Sequence, residues 1–215
     1  MSITSGIWVS IDGPDGSGKS VTASSLSTSF PNALLVHEFS ETDLGRSLTK
    51  AVVKDPRIFP WAPISEALSF LADYIYQCET TIITALKSNR LVVSDRGFLS
   101  KWAYQAAVLA DSMDVMKAHA LLDAVLTSVR APDLTLLLDG DPELLRDRIV
   151  IRDGRCSDNR YQFILRCQKA FETAVGLYPL EVRRIVQSRG MSLSALSSRA
   201  EDIVQEFLNE IRLVE

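Results

Sequence analysis

Eight residues near the amino terminus carry the clearest chemistry in the chain: Gly13-Pro14-Asp15-Gly16-Ser17-Gly18-Lys19-Ser20. This is the spacing of a P-loop, in which glycines let backbone N–H groups converge on a phosphate chain. A helix beginning at Lys19 adds the positive end of its dipole at the same spot. In such a loop Lys19 neutralises the β- and γ-phosphates and the Ser20 hydroxyl ligates magnesium. The nucleotide-binding stretch is taken to end with Val21.

A second cluster is Ser94-Asp95-Arg96, after the apolar run Leu91-Val92-Val93. A carboxylate at the tip of a buried strand holds magnesium through water, and a neighbouring guanidinium grips phosphate bidentately. Asp139 competes with Asp95 for the metal, but Asp141-Pro142-Glu143 follows it and reads as a helix start, so Asp95 is preferred. Glu38, beyond another apolar run, is a further candidate because ligands of open α/β sheets bind outside the carboxyl ends of strands. Arg46 and Lys50 are four apart on one helix face, suited equally to phosphate or to solvent. From Leu145 the chain turns basic, and Arg152, Arg155 and Arg160 around Gly154 suggest a glycine-hinged lid over about residues 152–160. Neither His37 nor His119 has a triad partner at motif spacing.

The elements that would position these groups are legible as apolar runs. Ile7 to Ile11, Ala33 to Val36, Leu91 to Val93, Leu134 to Leu138 and Val182 to Val186 alternate with helical patterns, the signature of a parallel sheet covered on both faces. Pro60-Trp61-Ala62-Pro63 breaks the chain before a long helix, Ile64 to Lys87. There Ile64, Leu68, Leu71, Ile75, Cys78, Ile82 and Leu86 form a core stripe. Phe70 and Tyr74 lie a turn apart on an adjacent face beside Asp73 and Gln77, where they either widen that stripe or stack a base. Ser100 with Tyr104 and Lys101 with Gln105 pair at i, i+4 on the helix after Arg96. Further helices are expected over Asp114 to Arg130, Tyr161 to Leu177 and around Leu196 to Ile211.

Composition sets bounds. Across 215 residues, 47% are hydrophobic and 23% charged, values of a globular chain, and the formal net charge of −4 argues against nucleic acid as partner. No apolar stretch has the length of a membrane span and the first five residues lack a signal-peptide pattern, so a cytoplasmic protein without membrane contact is expected. Cys78, Cys156 and Cys167 lack paired spacing and read as reduced thiols. With no repeat or linker in view, residues 1–215 are taken as one domain.

Over nearly its whole length the chain resembles the thymidylate kinases, a family of P-loop nucleoside monophosphate kinases. The resemblance is carried by Ile11 to Ser20, by Ser65 to Asp73, and by Pro132-Asp133-Leu134-Thr135 with Leu138-Asp139 and Pro142-Glu143. Its most specific part is Ser94-Asp95-Arg96 with Ser100 and Ala103-Tyr104-Gln105. The family implies a three-layer α/β/α fold with a five-stranded parallel sheet, a homodimer, and MgATP-dependent conversion of dTMP to dTDP. Carried over, Asp15 meets the acceptor sugar, Phe70 stacks on the base, Arg96 holds the acceptor phosphate, and Tyr104 and Gln105 line the nucleoside pocket. One lid arginine among Arg152, Arg155 and Arg160 assists transfer, and the loop Gln187-Ser188-Arg189-Gly190 lies by the donor base.

Departures from the family pattern surround the acceptor base. Glu38-Phe39-Ser40-Glu41-Thr42 replaces a glycine-rich loop, Tyr74 an arginine, Gly97 an aromatic residue and Lys101 a serine. A phenol offers one donor where guanidinium offers five, so base recognition differs. The acceptor is therefore dTMP or a modified or different nucleoside monophosphate; a nucleotide-binding protein without transfer activity is the reading from another class.

Overall fold

The computed structural model describes residues 6–54, 62–88 and 90–212. Its first strand, β1 (Ile7–Asp12), explains much of the rest by alternation. Val9 and Ile11 face one side of the sheet and Trp8, Ser10 and Asp12 the other. Val9 and Ile11 join Val93, Leu134, Leu136 and Leu138 in a core covered by α1 (Lys19–Ser29) and α9 (Leu193–Arg212). Trp8 joins Val92 and Leu137 in a second core beneath α3 (Pro63–Gln77), α5 (Phe98–Leu109), α6 (Val115–Leu126) and α8 (Asp158–Leu177).

The remaining strands are β2 (Leu34–Val36), β3 (Leu91–Asp95), β4 (Leu134–Gly140) and β5 (Val182–Gln187). They pair in the order β2-β3-β1-β4-β5, every pair parallel. The central strands β1, β3 and β4 are buried on both faces and are therefore largely apolar, which is why their runs could be read directly, while the edge strands β2 and β5 are partly exposed. Beside β1 the chain crosses first to β3 on one side and then to β4 on the other. The carboxyl ends of these central strands thus open into a crevice.

The helix expected over Ile64 to Lys87 runs without a break as α3, a π turn at Cys78–Ile82 where the Ile83 N–H donates to Cys78 O, and α4 (Ile83–Lys87). Two expectations need correction. Ile64 and Leu68 are 41% and 43% exposed, because the buried stripe runs one position away, through Ala67, Leu71, Tyr74 and Cys78. Pro60 and Trp61, placed at the break before this helix, lie outside the described residues, while Ala62 and Pro63 open α3. The helix from Asp114 ends at Leu126, and Asp114 caps it by accepting from the Met116 and Lys117 N–H groups. His119 packs its ring 4.8 Å from that of Trp102 and is structural.

Candidate active site

Gly13, Gly16 and Gly18 all have positive φ, and the loop they shape turns directly from β1 into α1. At Gly13 a Cβ would lie 2.2 Å from Leu138 O, so no other residue fits. The loop's carbonyls are held from behind: Gln187 Nε2 donates to Ser17 O at 3.0 Å, and Arg148 reaches Gly16 O at 3.5 Å, Met191 O at 3.2 Å and the Gln187 side chain. Lys19 is 5% exposed and donates to Pro14 O at 2.7 Å. Burial and the charge of Arg96 push its ammonium down to about 8, against the pull of Asp15, Asp95 and Glu38. Pro14 and Ser17 are buried, and Ser20 and Val21 are exposed on the first turn of α1.

Asp12 is fully buried at the end of β1, on the face where α5 begins. Its Oδ1 accepts from the Gly97 and Ser100 N–H groups at 2.8 and 2.9 Å, and its Oδ2 from the Ser10 hydroxyl at 2.9 Å. The carboxylate therefore caps α5 from another element, satisfying amides that would otherwise be orphaned. Gly97 is required by this close approach, since a Cβ there would lie 2.4 Å from Ser10 Cβ. Sequence reading gave Asp12 no role, because capping across elements leaves no local spacing.

Between Asp95 and Gly97, Arg96 adopts φ +83°, a left-handed conformation that is strained for a residue with a side chain. Its N–H still donates to Ile11 O at 3.0 Å. The side chain is held by Glu38, with Nε 2.7 Å from Oε2, and by the Tyr104 ring, 4.7 Å from its guanidinium carbon. Burial alone would raise the Glu38 carboxyl, but Arg96 and Lys101 hold it below the usual range. The Glu38 loop is anchored beneath by Asp73, which accepts from Ser40 N–H at 2.9 Å and from the Ser40 hydroxyl, and by Gln77 Nε2, which donates to His37 O. Arg46 instead pairs with Asp43 and Glu41 at the surface, and Lys50 is exposed, so both take the solvent alternative.

The lid is the end of α7 (Pro142–Asp153), a turn through Gly154 at φ +79°, and the start of α8, which begins at Asp158 where Tyr161 was expected. Both flanking arginines converge on the glycine loop. Arg152 Nη1 lies 3.1 Å from Asp15 Oδ1 and Arg160 Nη2 2.6 Å from Asp15 Oδ2, while Asp153 contacts both arginines. Burial would raise the Asp15 carboxyl, yet Lys19, Arg152 and Arg160 hold it far below the carboxylate range. Arg155 is exposed in the turn.

These groups surround one cavity of about 280 Å³. Asp15, Ser20, Glu38, Phe70 and Arg96 line it, as do Ser100, Tyr104, Gln105, Arg152 and Arg160, so ten residues singled out in the sequence are brought together. Tyr74 is not among them. It is 2% exposed in the core, and the idea that it lines the base is corrected on that ground: the α3 face it occupies packs inward. Lys101, paired with Gln105 at i, i+4 in the sequence, lines it too, and lining residues that spacing did not flag include Glu66 and, from α8, Phe163, Ile164 and Cys167. The Cys167 thiol is pushed up to about 12 by burial and is not a nucleophile. Asp95 is 8% exposed with Oδ1 buried and unpartnered among the described residues, a carboxylate oxygen short of a cation or donor. Together with the Ser20 hydroxyl, that hard-oxygen set suits magnesium carried on a phosphate chain.

A parallel sheet of this order, a glycine loop leading from β1 into a helix and an arginine-ringed cavity above the strand ends define the P-loop kinase class. The thymidylate kinase family model matches residues 11–191. A probable thymidylate kinase of Thermococcus gammatolerans is 36% identical over 173 residues, 76% of this chain and 78% of the relative. One of Halorubrum lacusprofundi is 28% identical over 207 residues, 94% and 99% of the two chains. In fold, a thymidylate kinase from Candida albicans superimposes with a TM-score of 0.73 at 20% identity, covering 95% of this chain and 93% of its own. The chain belongs to the thymidylate kinase family, phosphotransferases that take a phosphate group as acceptor.

Proposed function

We propose that the protein transfers the γ-phosphoryl group of ATP, as its magnesium complex, to the 5'-phosphate of a pyrimidine deoxynucleotide, converting dTMP to dTDP. The observation that carries this reading is the convergence of Lys19, Arg96 and the lid arginines near one cavity that also presents an aromatic ring, Phe70. The attacking phosphate oxygen is already ionised at neutral pH, so no general base is needed, and catalysis reduces to positioning and charge neutralisation. The loop amides and Lys19 hold the donor phosphates, and Arg96 aligns the acceptor phosphate. Phe70 stacks the base, Ser100, Tyr104 and Gln105 line the nucleoside, and Asp15 stands at the sugar. Arg152 and Arg160 neutralise charge developing between the phosphates. Ser20 and Asp95 are the residues that would hold magnesium, which supplies charge neutralisation on the donor oxygens.

The enzyme acts as a homodimer in the cytoplasm, each chain forming one nucleoside monophosphate kinase domain. Three half-exposed apolar side chains on α2 (Asp43–Lys54) and α3, Leu44, Ile64 and Leu68, support pairing through these helices. Light scattering coupled to size exclusion tests that part. For the reaction, ADP release is followed with dTMP, dUMP, dCMP and dGMP as acceptors. Dominance of dTMP supports the assignment, dominance of another base redirects it, and binding without turnover identifies a silent nucleotide-binding protein. Lys19→Ala should lower turnover by ~100-fold or more.

A further inference from the structure

The ammonium of Lys101 lines the acceptor cavity although the residue is only 3% exposed. Its Nζ lies 5.3 Å from the centroid of Phe39, 5.8 Å from that of Tyr74 and 6.0 Å from that of Phe70. Three rings thus cage the cation on the aromatic side of the cavity. Its polar partners are distant: Glu38 main-chain O at 3.4 Å and Glu38 Oε1 at 3.9 Å. The other carboxylate oxygen of Glu38 is committed to Arg96 at 2.7 Å, so Glu38 stands between Lys101 and the arginine. A desolvated ammonium has three donors to satisfy, and among the described residues it finds only one long hydrogen bond, to Glu38 O, and the 3.9 Å ion pair with the Glu38 carboxylate. Two neighbours in the same cavity, Ser100 Oγ and Gln105 Oε1, are likewise buried without partners among the described residues. A ring of Phe70 beside unfilled hydrogen-bonding capacity is what a stacked heterocycle would complete.

We propose that Lys101 reads the acceptor base, donating a hydrogen bond to a carbonyl oxygen or unprotonated ring nitrogen on the edge of a pyrimidine stacked on Phe70. The assignment rests on the phosphotransfer reading above. Lysine has no acceptor, so a base that presents an N–H at this point meets donor against donor and is rejected. Tyr74 then acts through Lys101, as one wall of its cage.

The test compares wild type with Lys101→Met, which keeps the stem and loses every donor, and Lys101→Gln, which can both donate and accept. KM and kcat are measured for dTMP, dUMP, dCMP and ATP. Lys101→Met should raise KM for the preferred acceptor by about tenfold or more and leave KM for ATP unaltered, with penalties differing between bases by about tenfold. Lys101→Gln should narrow the discrimination between bases. An unchanged acceptor KM overturns the proposal. So does an equal loss for every base, which would make Lys101 a phosphate anchor. Calorimetric binding of the same monophosphates reads the same comparison if wild type shows no turnover, so failure of the transfer reading stays separate.

Discussion

Arg160 Nη2 donates to Asp15 Oδ2 across 2.6 Å, tying the first turn of α8 to the glycine loop. Arg152 grips the same carboxylate from the end of α7, whereas Arg155 sits exposed between them. Arg160→Gln and Arg152→Gln should each lower kcat by ~100-fold. Arg155→Gln should be far milder. Steady-state ADP release on the three variants ranks them.

The same carboxylate has an acid signature. Its pKa is held low in the folded state, so its stabilisation is fully present above about pH 4, the unfolded value, and is lost as pH falls through the lowered folded one. Asp15→Asn removes this contribution at neutral pH. The stability gap between wild type and variant, read by urea unfolding, should therefore shrink steadily below pH 4. A gap independent of pH contradicts the ion-pair account.

Asp12 gives a prediction about folding and not about chemistry. Asp12→Ala leaves the Gly97 and Ser100 amides unpaired and should cost about 2 kcal/mol or more, the upper range for a lost cap. Asp12→Asn keeps an acceptor oxygen and lets the Ser10 hydroxyl accept instead of donate, so it should cost much less. Equilibrium denaturation of both variants decides.

The left-handed backbone at Arg96 can be isolated by a pair of substitutions that lose the same side chain. Arg96→Gly fits φ +83° and Arg96→Ala does not, so the glycine variant should be more stable by about 1 kcal/mol. Both should lose transfer activity. Equal stability would mean that the conformation carries no strain.

What could be read from the sequence divides along physical lines. The central strands β1, β3 and β4 were legible because a strand buried on both faces is largely apolar, whereas the edge strands β2 and β5 are partly exposed, β5 carrying Arg183 and Arg184, and were marked by shorter apolar stretches. The glycine loop, Asp95-Arg96 and the Ser100, Tyr104, Gln105 set were legible because their spacing is local. Ile64 and Leu68 misled because a period of 3.6 tolerates a stripe one residue to the side, and only packing against α5 chooses between them. Tyr74 misled for the same reason. The roles of Asp12, Asp73 and Gln187 were invisible, since each bonds a segment at least 33 residues away. Arg152 and Arg160 could be named as lid arginines, but their shared partner emerged only when two helices were brought over the loop.

The rear bracing by Arg148 and Gln187 bears on how reactants arrive. With the Gly16 and Ser17 oxygens engaged from behind, the loop's carbonyls leave little for a bare divalent ion to ligate. Metal should therefore enter as a chelate of its triphosphate and not ahead of it, making free nucleotide and free ion poor partners taken one at a time.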